Sequence, residues 1–144
     1  MKNEPFLSEM ALSDVFSSKL ESESTCWGRV SLTKEFNFKR GRTDIIAVDE
    51  DGLIHAFELK LEKWSCALTQ AYRSTSFADF SYIVVPENTA QRAMKSLDDF
   101  KKRSVGICAV GSDGVHVILP AVHTESIQPW LSASAVALAM NAAN

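Results

Sequence analysis

The sequence has few of the residues that mark disulfide-stapled, zinc-binding or membrane-spanning proteins. Its three cysteines are odd in number, far apart and without metal-ligand spacing, which favours free thiols in a cytoplasmic protein. The three histidines form no cluster of the kind that binds zinc. No apolar run approaches the roughly 20 residues of a membrane span, and the N-terminal sequence MKNEPFLSEM lacks the basic start and apolar stretch of a signal peptide. We therefore expect a cytoplasmic protein with no membrane anchor.

The composition is that of one globular domain. The chain has 144 residues, of which 46% are hydrophobic and 23% charged, so it is long enough to bury a sizeable core. We expect a single domain over residues 1–144. The net charge of −3 counts against a strong general affinity for nucleic acid, although only the contacting face has to be basic.

The most informative stretch lies between Arg42 and Tyr72. Its pattern predicts a strand at residues 44–48, a turn, a second strand at residues 53–61, and a helix that begins at Trp64. The turn Glu50-Asp51-Gly52, with its glycine in the left-handed conformation, is typical of a three-residue hairpin loop. Both faces of the hairpin are largely apolar, so we expect helices to cover both.

The register of this hairpin brings two carboxylates together. The loop sets Val48 opposite Ile54 and, further out, Asp44 opposite Glu58 on the same face of the sheet, with Cβ atoms about 5 Å apart. Lys60 points to that face too, because side chains alternate along a strand. Two carboxylates this close repel each other unless a cation lies between them, and Mg²⁺ prefers oxygen ligands. The pattern predicts a metal site with a lysine beside it.

A plainer interpretation of the second strand stays open. A strand that leaves the core would also show the polar series Glu58, Lys60 and Glu62 on its solvent-facing side. The apolar residues on both faces of the hairpin count against this interpretation, because they indicate a strand near the middle of a sheet.

The motif resembles the signature of the PD-(D/E)xK nuclease superfamily. That signature has an acidic residue, a short hairpin, and then Asp or Glu, any residue and Lys; here Asp44 is followed after thirteen residues by Glu58-Leu59-Lys60. The next helix carries Gln70 and Tyr72, similar to the RecB-like, mismatch-endonuclease-like and Holliday-junction-resolvase-like branches. Thr43 stands where the motif is named for a proline. The resemblance covers about half of the chain, roughly residues 33–86.

The resemblance implies a fold and an activity. The fold would be α/β and restriction-endonuclease-like, with three layers, a central mixed sheet between helices, and an αβββαβ core followed by a further helix and strands. The activity would be a metal-dependent endonuclease that hydrolyses phosphodiester bonds in DNA. Asp44, Glu58 and the main-chain carbonyl of Leu59 would hold Mg²⁺ or Mn²⁺. Lys60 would orient or deprotonate the attacking water, and Gln70 would help to hold that water or a metal ligand.

Two further sets of residues have a functional and a structural interpretation. In the resembling family the first helix often supplies another acid to the metal, for which Glu9 is the candidate here. An acid in the first turn of a helix also complements the helix dipole. Lys39, Arg40, Arg42 and Arg73 are the candidates for contacts with DNA phosphates, and the alternative is that they are solvated surface charges.

The rest of the chain predicts the remaining elements. Strands are predicted at residues 30–38, 80–86, 105–110 and 114–119. Helices are predicted at residues 8–20 with Ser8 as N-cap, and from Asn88 or Thr89, either of which can cap it, to about Arg103. Strand, helix and strand from residue 80 to 110 fit a parallel crossover. The alanine-rich tail from Ile127 either packs on the domain or pairs with a second copy.

Two other classes of function stay open beside the nuclease. One is a catalytically silent binding module that uses the nuclease fold as a platform. The other is a nuclease subunit that requires a protein partner for target recognition, because the sequence has no recognisable zinc finger or helix-turn-helix. DNA is the partner expected by resemblance, and a homodimer fits the need for two sites to cut two strands.

Overall fold

The computed structural model describes Phe6 and residues 8–142, which form a six-stranded mixed sheet between two layers of helices. The strands lie side by side in chain order. The first three form an antiparallel meander, the fourth and fifth run parallel to the third, and the sixth is antiparallel to the fifth. They are β1 (Val30–Phe38), β2 (Gly41–Asp49), β3 (Ile54–Leu59), β4 (Phe80–Pro86), β5 (Val105–Gly111) and β6 (Gly114–Leu119).

The helices cover both faces of the sheet. They are α1 (Glu9–Glu21), α2 (Trp64–Ser74), α3 (Glu87–Ala93), α4 (Leu97–Arg103) and α5 (Pro129–Ala142). On one face, α1 packs its Leu12, Phe16 and Leu20 against β2 and β3. On the other face, α2, α3 and α4 cover β4 and β5, and α5 covers β1 and β2. The order α1-β1-β2-β3-α2-β4 is the predicted αβββαβ core, so the predicted three-layer α/β fold class is confirmed. None of the described helices has the length and apolarity to cross a bilayer.

The predicted hairpin register is confirmed over most of its length. The β2–β3 ladder runs from Val48 opposite Ile54 to Ile45 opposite Phe57. Gly52 has a φ of +83°, and its amide donates a 3.0 Å hydrogen bond to the Asp49 carbonyl. Glycine adopts this left-handed backbone without the steric cost of a side chain. Within this ladder the side chains alternate between the two faces as expected: Ile45 and Phe57 pack with α1, and Ile46 and Ala56 pack with α5.

Replacing Gly52 with alanine should measure the free-energy cost of a side chain at the left-handed position of that loop. No atom would contact the added Cβ, so only the left-handed backbone opposes it. We expect the free energy of unfolding to fall by about 1 kcal/mol. Gly41→Ala is the matched control, because a Cβ there would meet nothing closer than 3.9 Å. Urea denaturation compares the two variants, and a Gly52→Ala protein as stable as the wild type would contradict the loop conformation.

The segment between β4 and β5 corrects one prediction. The prediction of a single helix capped by Asn88 or Thr89 is wrong. The first helix, α3, begins at Glu87 directly after Pro86, and a 3₁₀ turn at Met94–Ser96 separates it from α4. Proline has no amide hydrogen to lose at the start of a helix, which explains the earlier beginning. The hydroxyl of Thr89 is used elsewhere and donates to the Leu61 carbonyl.

The tail after β6 packs on the domain, which was one of its two predicted placements. Ala135 and Ala139 of α5 are fully buried, and the Ser132 hydroxyl donates a 2.7 Å hydrogen bond to the Phe77 carbonyl. Alanine at these positions lets the helix lie close to the sheet. In the other predicted placement, a second copy of the chain would contact the opposite face of α5.

Candidate active site

One cleft of about 450 Å³ collects most of the predicted site residues. It lies where β2 begins and β3 ends, beside α1 and α2. Seven of the predicted residues line it, together with three that the sequence did not suggest. The lining residues are Glu9, Asn37, Phe38, Gly41, Arg42, Asp44, Glu58, Lys60, Gln70 and Arg73.

Two of the predicted DNA contacts lie outside this cleft. Lys39 and Arg40 form the exposed two-residue turn between β1 and β2 and are not among the lining residues. Their side chains are free to reach a long polymer that extends beyond the cleft, but they do not shape the cleft itself.

Asp44 lies just beyond the last pair of the β2–β3 ladder, whereas β2 stays paired with β1 down to Gly41. Instead of pairing through its main chain, its Oδ2 accepts a 2.9 Å hydrogen bond from the Leu59 amide. Its Oδ1 lies 3.7 Å from Nη2 of Arg42. Because the N–H and C=O of one strand residue point to the same edge, the Leu59 carbonyl also faces β2 and Asp44. The predicted ligand atoms of Asp44 and Leu59 are therefore on the same side of β3.

Glu58 is the most unusual residue of the cleft. It is only 1% exposed, and its buried Oε2 has no hydrogen-bond partner. Burial above all, together with the charge of Asp44 and a hydrogen bond to its carboxylate, raises the pKa of the Glu58 carboxyl to about 9. This value already includes the smaller lowering effects of the Asp44 main chain and of Arg42. Glu58 thus keeps its proton at neutral pH and shares it with Asp44.

This pair fits a divalent cation. A buried carboxyl oxygen without a partner, next to a second carboxylate, is costly in the ionised form unless a positive charge compensates it. Carboxylate and carbonyl oxygens are also the ligands that Mg²⁺ and Mn²⁺ take. The oxygen atoms of Asp44, Glu58 and the Leu59 carbonyl therefore fit the ligand chemistry of such an ion.

Lys60 and Glu9 face each other in the cleft. Lys60 follows directly after β3, and its Nζ lies 3.8 Å from Oε2 of Glu9. Glu9 is in the first turn of α1, so it complements the helix dipole as the structural interpretation expected. It also lines the cleft, and its role as a further acid for the metal stays a prediction. Its ion pair with Lys60 is a third role, which neither interpretation included.

A buried hydrogen bond fixes α2 against the strand that carries Asp44. Thr43 is fully buried, and its hydroxyl shares a 2.7 Å hydrogen bond with the hydroxyl of Ser74. This contact holds the last turns of α2 over β2, where Gln70 and Arg73 reach the cleft. The side chain of Arg73 lies against Gly41, where an added Cβ would be 3.9 Å from it. Threonine at the position of the motif's proline thus has a structural role.

The residues that the sequence did not suggest come from the β1–β2 hairpin. Its ladder pairs Asn37 with Arg42 and Phe38 with Gly41, which places Asn37 and Phe38 beside the predicted cations. Glu35, opposite Asp44, has a φ of +58°, an uncommon conformation for a residue with a side chain. Its carboxylate lies 3.9 Å from Arg42. Arg42 is therefore held between two acids.

One histidine lies in a second group of candidate metal ligands, although the sequence predicts no zinc-binding cluster of histidines. Glu87, Asp113 and His116 each place one ligand atom within 4.8 Å of the others. His116 and Asp113 are exposed at the β5–β6 turn, where Nε2 of His116 lies 3.1 Å from Oδ1 of Asp113. This group lies outside the cleft described above.

The comparisons with known proteins support the fold. No protein-family model matches the chain, and neither does any curated protein. A protein of unknown function from Silicibacter pomeroyi is similar in structure, with a TM-score of 0.66, 14% identity, and coverage of 92% of this chain and 83% of that one. A repair endonuclease from Pyrococcus abyssi gives a TM-score of 0.47 at 20% identity, over 77% of this chain and 49% of that one. The first of these likenesses shows a shared architecture, which does not imply a shared activity, and the second is too weak to support an argument.

Proposed function

We propose that this chain is a metal-dependent nuclease that hydrolyses phosphodiester bonds in DNA. The observation that carries the proposal is the buried Glu58 carboxyl beside Asp44, with one oxygen lacking a partner, in a cleft that also contains Lys60. Burial of an acid at this cost in stability is typical of functional sites, where perturbed pKa values concentrate.

The metal-binding residues in this proposal are Asp44, Glu58 and Leu59. The two carboxylates and the Leu59 carbonyl would hold Mg²⁺ or Mn²⁺. A bound ion of this kind lowers the pKa of a coordinated water and neutralises charge on the scissile phosphate. Glu58 has to give up its proton before it can act as a ligand, so binding is coupled to proton release.

The residues that position the attacking water in this proposal are Lys60 and Gln70. The Lys60 ammonium is a donor that can orient the attacking water and stabilise the negative charge that develops on the phosphate. The Gln70 amide, on the helix opposite, has both a donor and an acceptor, which suits it to hold that water in place. Both side chains line the same cleft as Asp44 and Glu58.

The arginines of the cleft suit a polyanion although the whole chain is acidic. The cleft places Arg42, Lys60 and Arg73 beside Glu9, Asp44 and Glu58, and Glu58 adds no charge as long as it keeps its proton. Outside the lining, Arg42 also lies 3.9 Å from Glu35. Arg42 and Arg73 present planar guanidinium groups that match phosphate oxygens. The exposed Lys39 and Arg40 extend this basic surface along the turn.

Cleavage of a DNA panel tests the proposal. The panel contains single-stranded, duplex, flap, mismatched and four-way-junction DNA with Mg²⁺ or Mn²⁺, and compares the wild type with Asp44→Asn. We expect the wild type to cut at least one of them and Asp44→Asn to cut none, with both proteins folded by circular dichroism. Cutting that survives in Asp44→Asn would contradict the proposed site.

If none of the DNA molecules is cut, the effect of Mn²⁺ on the melting temperature distinguishes the two other classes of function. If Mn²⁺ raises the melting temperature of the wild type but not of Asp44→Asn, the chain is a nuclease subunit that needs a partner. If Mn²⁺ changes neither protein, the chain is a binding module on a nuclease fold. Either result would replace the proposal of a self-sufficient enzyme.

A further inference from the structure

The outward side of α5 is uncharged, largely apolar and exposed. Its buried side centres on Ala135 and Ala139. The opposite side carries Trp130, which is 69% exposed, with Leu138 at 47% and Met140 at 50%. Four smaller exposed residues, two of them alanines, complete this side of the helix. We define the outer face of α5 as Trp130, Ala133, Ser134, Ala137, Leu138, Met140 and Asn141.

No charged residue interrupts this surface, and its polar residues are one serine and one asparagine. The sequence has no Asp, Glu, Lys or Arg from Ser126 to the end of α5. A surface helix normally carries charged residues on its outward side, and a helix that is apolar all round is normally buried. Exposed apolar patches of a few hundred Å² mark interaction sites. The outer face of α5 therefore needs a partner that covers it.

We propose that this partner is a second copy of the chain, with the two α5 helices packed antiparallel about a two-fold axis. A two-fold interface brings the same surface patch of each copy together. Like charges would then face each other, and the outer face of α5 has none. A partner of opposite charge would have no charge here to recognise. The proposal does not depend on the nuclease activity.

The sizes of the side chains fit such an axis. If the axis passes near Ser134, Trp130 of one copy lies beside Leu138 of the second copy. The small residues at the centre let the two helix backbones approach, while the larger residues fill the space on either side. The two Ser134 hydroxyls would meet at the axis, where each can donate to or accept from the other. A specific interface buries about 1,000 Å² or more in total, and each copy offers three large apolar side chains to it, Trp130, Leu138 and Met140, which are 69%, 47% and 50% exposed.

A membrane surface fits this face less well. Helices that lie in the membrane interface carry Lys and Arg beside their apolar side, because these residues bind anionic lipids. α5 has no basic residue, and the chain has a net charge of −3. A second copy is therefore favoured over a lipid surface.

Sedimentation equilibrium between 1 and 100 µM tests the proposal. The wild type should approach twice the chain mass of 15.9 kDa. Ser134→Glu places two carboxylates near the axis and should weaken the dimer by about 100-fold or more. Ser134 is exposed, and glutamate is a better helix former than serine, so the variant should keep its fold. Ala142→Glu is the matched control, because it adds the same carboxylate to the same helix outside the outer face.

Crosslinking tests the arrangement of the helices. In a background with Cys26 and Cys66 replaced by serine, Ser134→Cys should form a disulfide-linked dimer on oxidation, and Ala142→Cys should not. A wild type of single-chain mass at 100 µM would overturn the proposal, as would a Ser134→Glu variant that still dimerises. Binding of the monomeric wild type to phosphatidylcholine and phosphatidylglycerol vesicles, lost in Ser134→Glu, would replace it with a membrane role.

Discussion

Glu58→Gln is expected to raise the melting temperature of the metal-free protein on the order of 10 °C at pH 7.5. The pKa of the Glu58 carboxyl is raised to about 9 in the folded chain, against an ordinary value of 4.5. At a pH between these two values the folded chain keeps the proton and the unfolded chain releases it, so the free energy of unfolding falls. Over the three pH units from 4.5 to 7.5 the cost reaches about 4 kcal/mol. Glutamine has a similar shape, needs no proton, and can still donate a hydrogen bond to Asp44.

The sign of this effect gives it a definite pH window. Below pH 4.5, Glu58 is protonated in both the folded and the unfolded chain, so it costs nothing. As the pH rises from 4.5 towards 9, the unfolded chain ionises and the folded chain does not, so the wild type loses stability. Above 9 both states are ionised and the loss levels off. The difference between Glu58→Gln and wild type should therefore grow with pH and vanish near pH 4.5.

Thermal unfolding across this pH range, with Glu62→Gln as control, measures the effect. Glu62 is an exposed acid on the same segment, and its replacement should leave the melting temperature within about 1 °C, as surface substitutions usually do. Mn²⁺ at pH 8 should stabilise the wild type and not Glu58→Gln, because a ligand stabilises only the state that binds it. A melting temperature for Glu58→Gln that is equal to or below that of the wild type at pH 8 would show that Glu58 is not buried as a strained acid.

The features that the sequence predicted well are those with local causes. Ser8 was predicted to cap α1, and its hydroxyl accepts a 3.0 Å hydrogen bond from the Ala11 amide. The loop that ends in Gly52 was predicted from three residues and fixed the register of β2 and β3. Turn chemistry and capping depend on residues a few positions apart, so one sequence is enough to infer them.

Two features that were not predicted have local sequence patterns from which they can be inferred. Lys39-Arg40 is a two-residue turn, and following its register outwards pairs Asn37 with Arg42 and so places Asn37 in the cleft. Ser96, followed by Asp98 and Asp99, has the composition of a helix start, and α4 begins at Leu97. Both features therefore follow from rules that apply to sequence alone.

The remaining features depend on distant parts of the chain. Asp44 is outside both ladders of β2, its carboxylate accepts a hydrogen bond from the Leu59 amide, and Glu35, opposite it, has a left-handed backbone. The burial that shifts the pKa of Glu58 comes from packing of the elements around it. The Thr43–Ser74 hydrogen bond joins residues 31 positions apart. None of these contacts has a periodic or turn-forming signal, so sequence reasoning could place the residues near one another but not give their state.

Lys60→Met is expected to reduce DNA cleavage by about 100-fold or more, the range of a lost acid–base group. Methionine keeps the unbranched shape of the side chain and removes the ammonium. The Lys60 side chain is 27% exposed and its ion pair with Glu9 is partly solvated, so its loss should change stability by less than about 1 kcal/mol. Mn²⁺ should still raise the melting temperature, because Asp44 and Glu58 remain. Lys63→Met is the matched control, since Lys63 is exposed and does not line the cleft.

Glu9→Gln completes this test because it separates the roles of Glu9. If Glu9 only complements the helix dipole and pairs with Lys60, the variant should keep its stabilisation by Mn²⁺ and cut within a few-fold of the wild type. If Glu9 holds the metal, stabilisation by Mn²⁺ should fall together with cleavage. Cleavage by Lys60→Met at the wild-type rate would contradict the proposed role of Lys60 whichever way Glu9→Gln behaves. Loss of both cleavage and Mn²⁺ stabilisation in Lys60→Met would instead make the ammonium a structural part of the metal site.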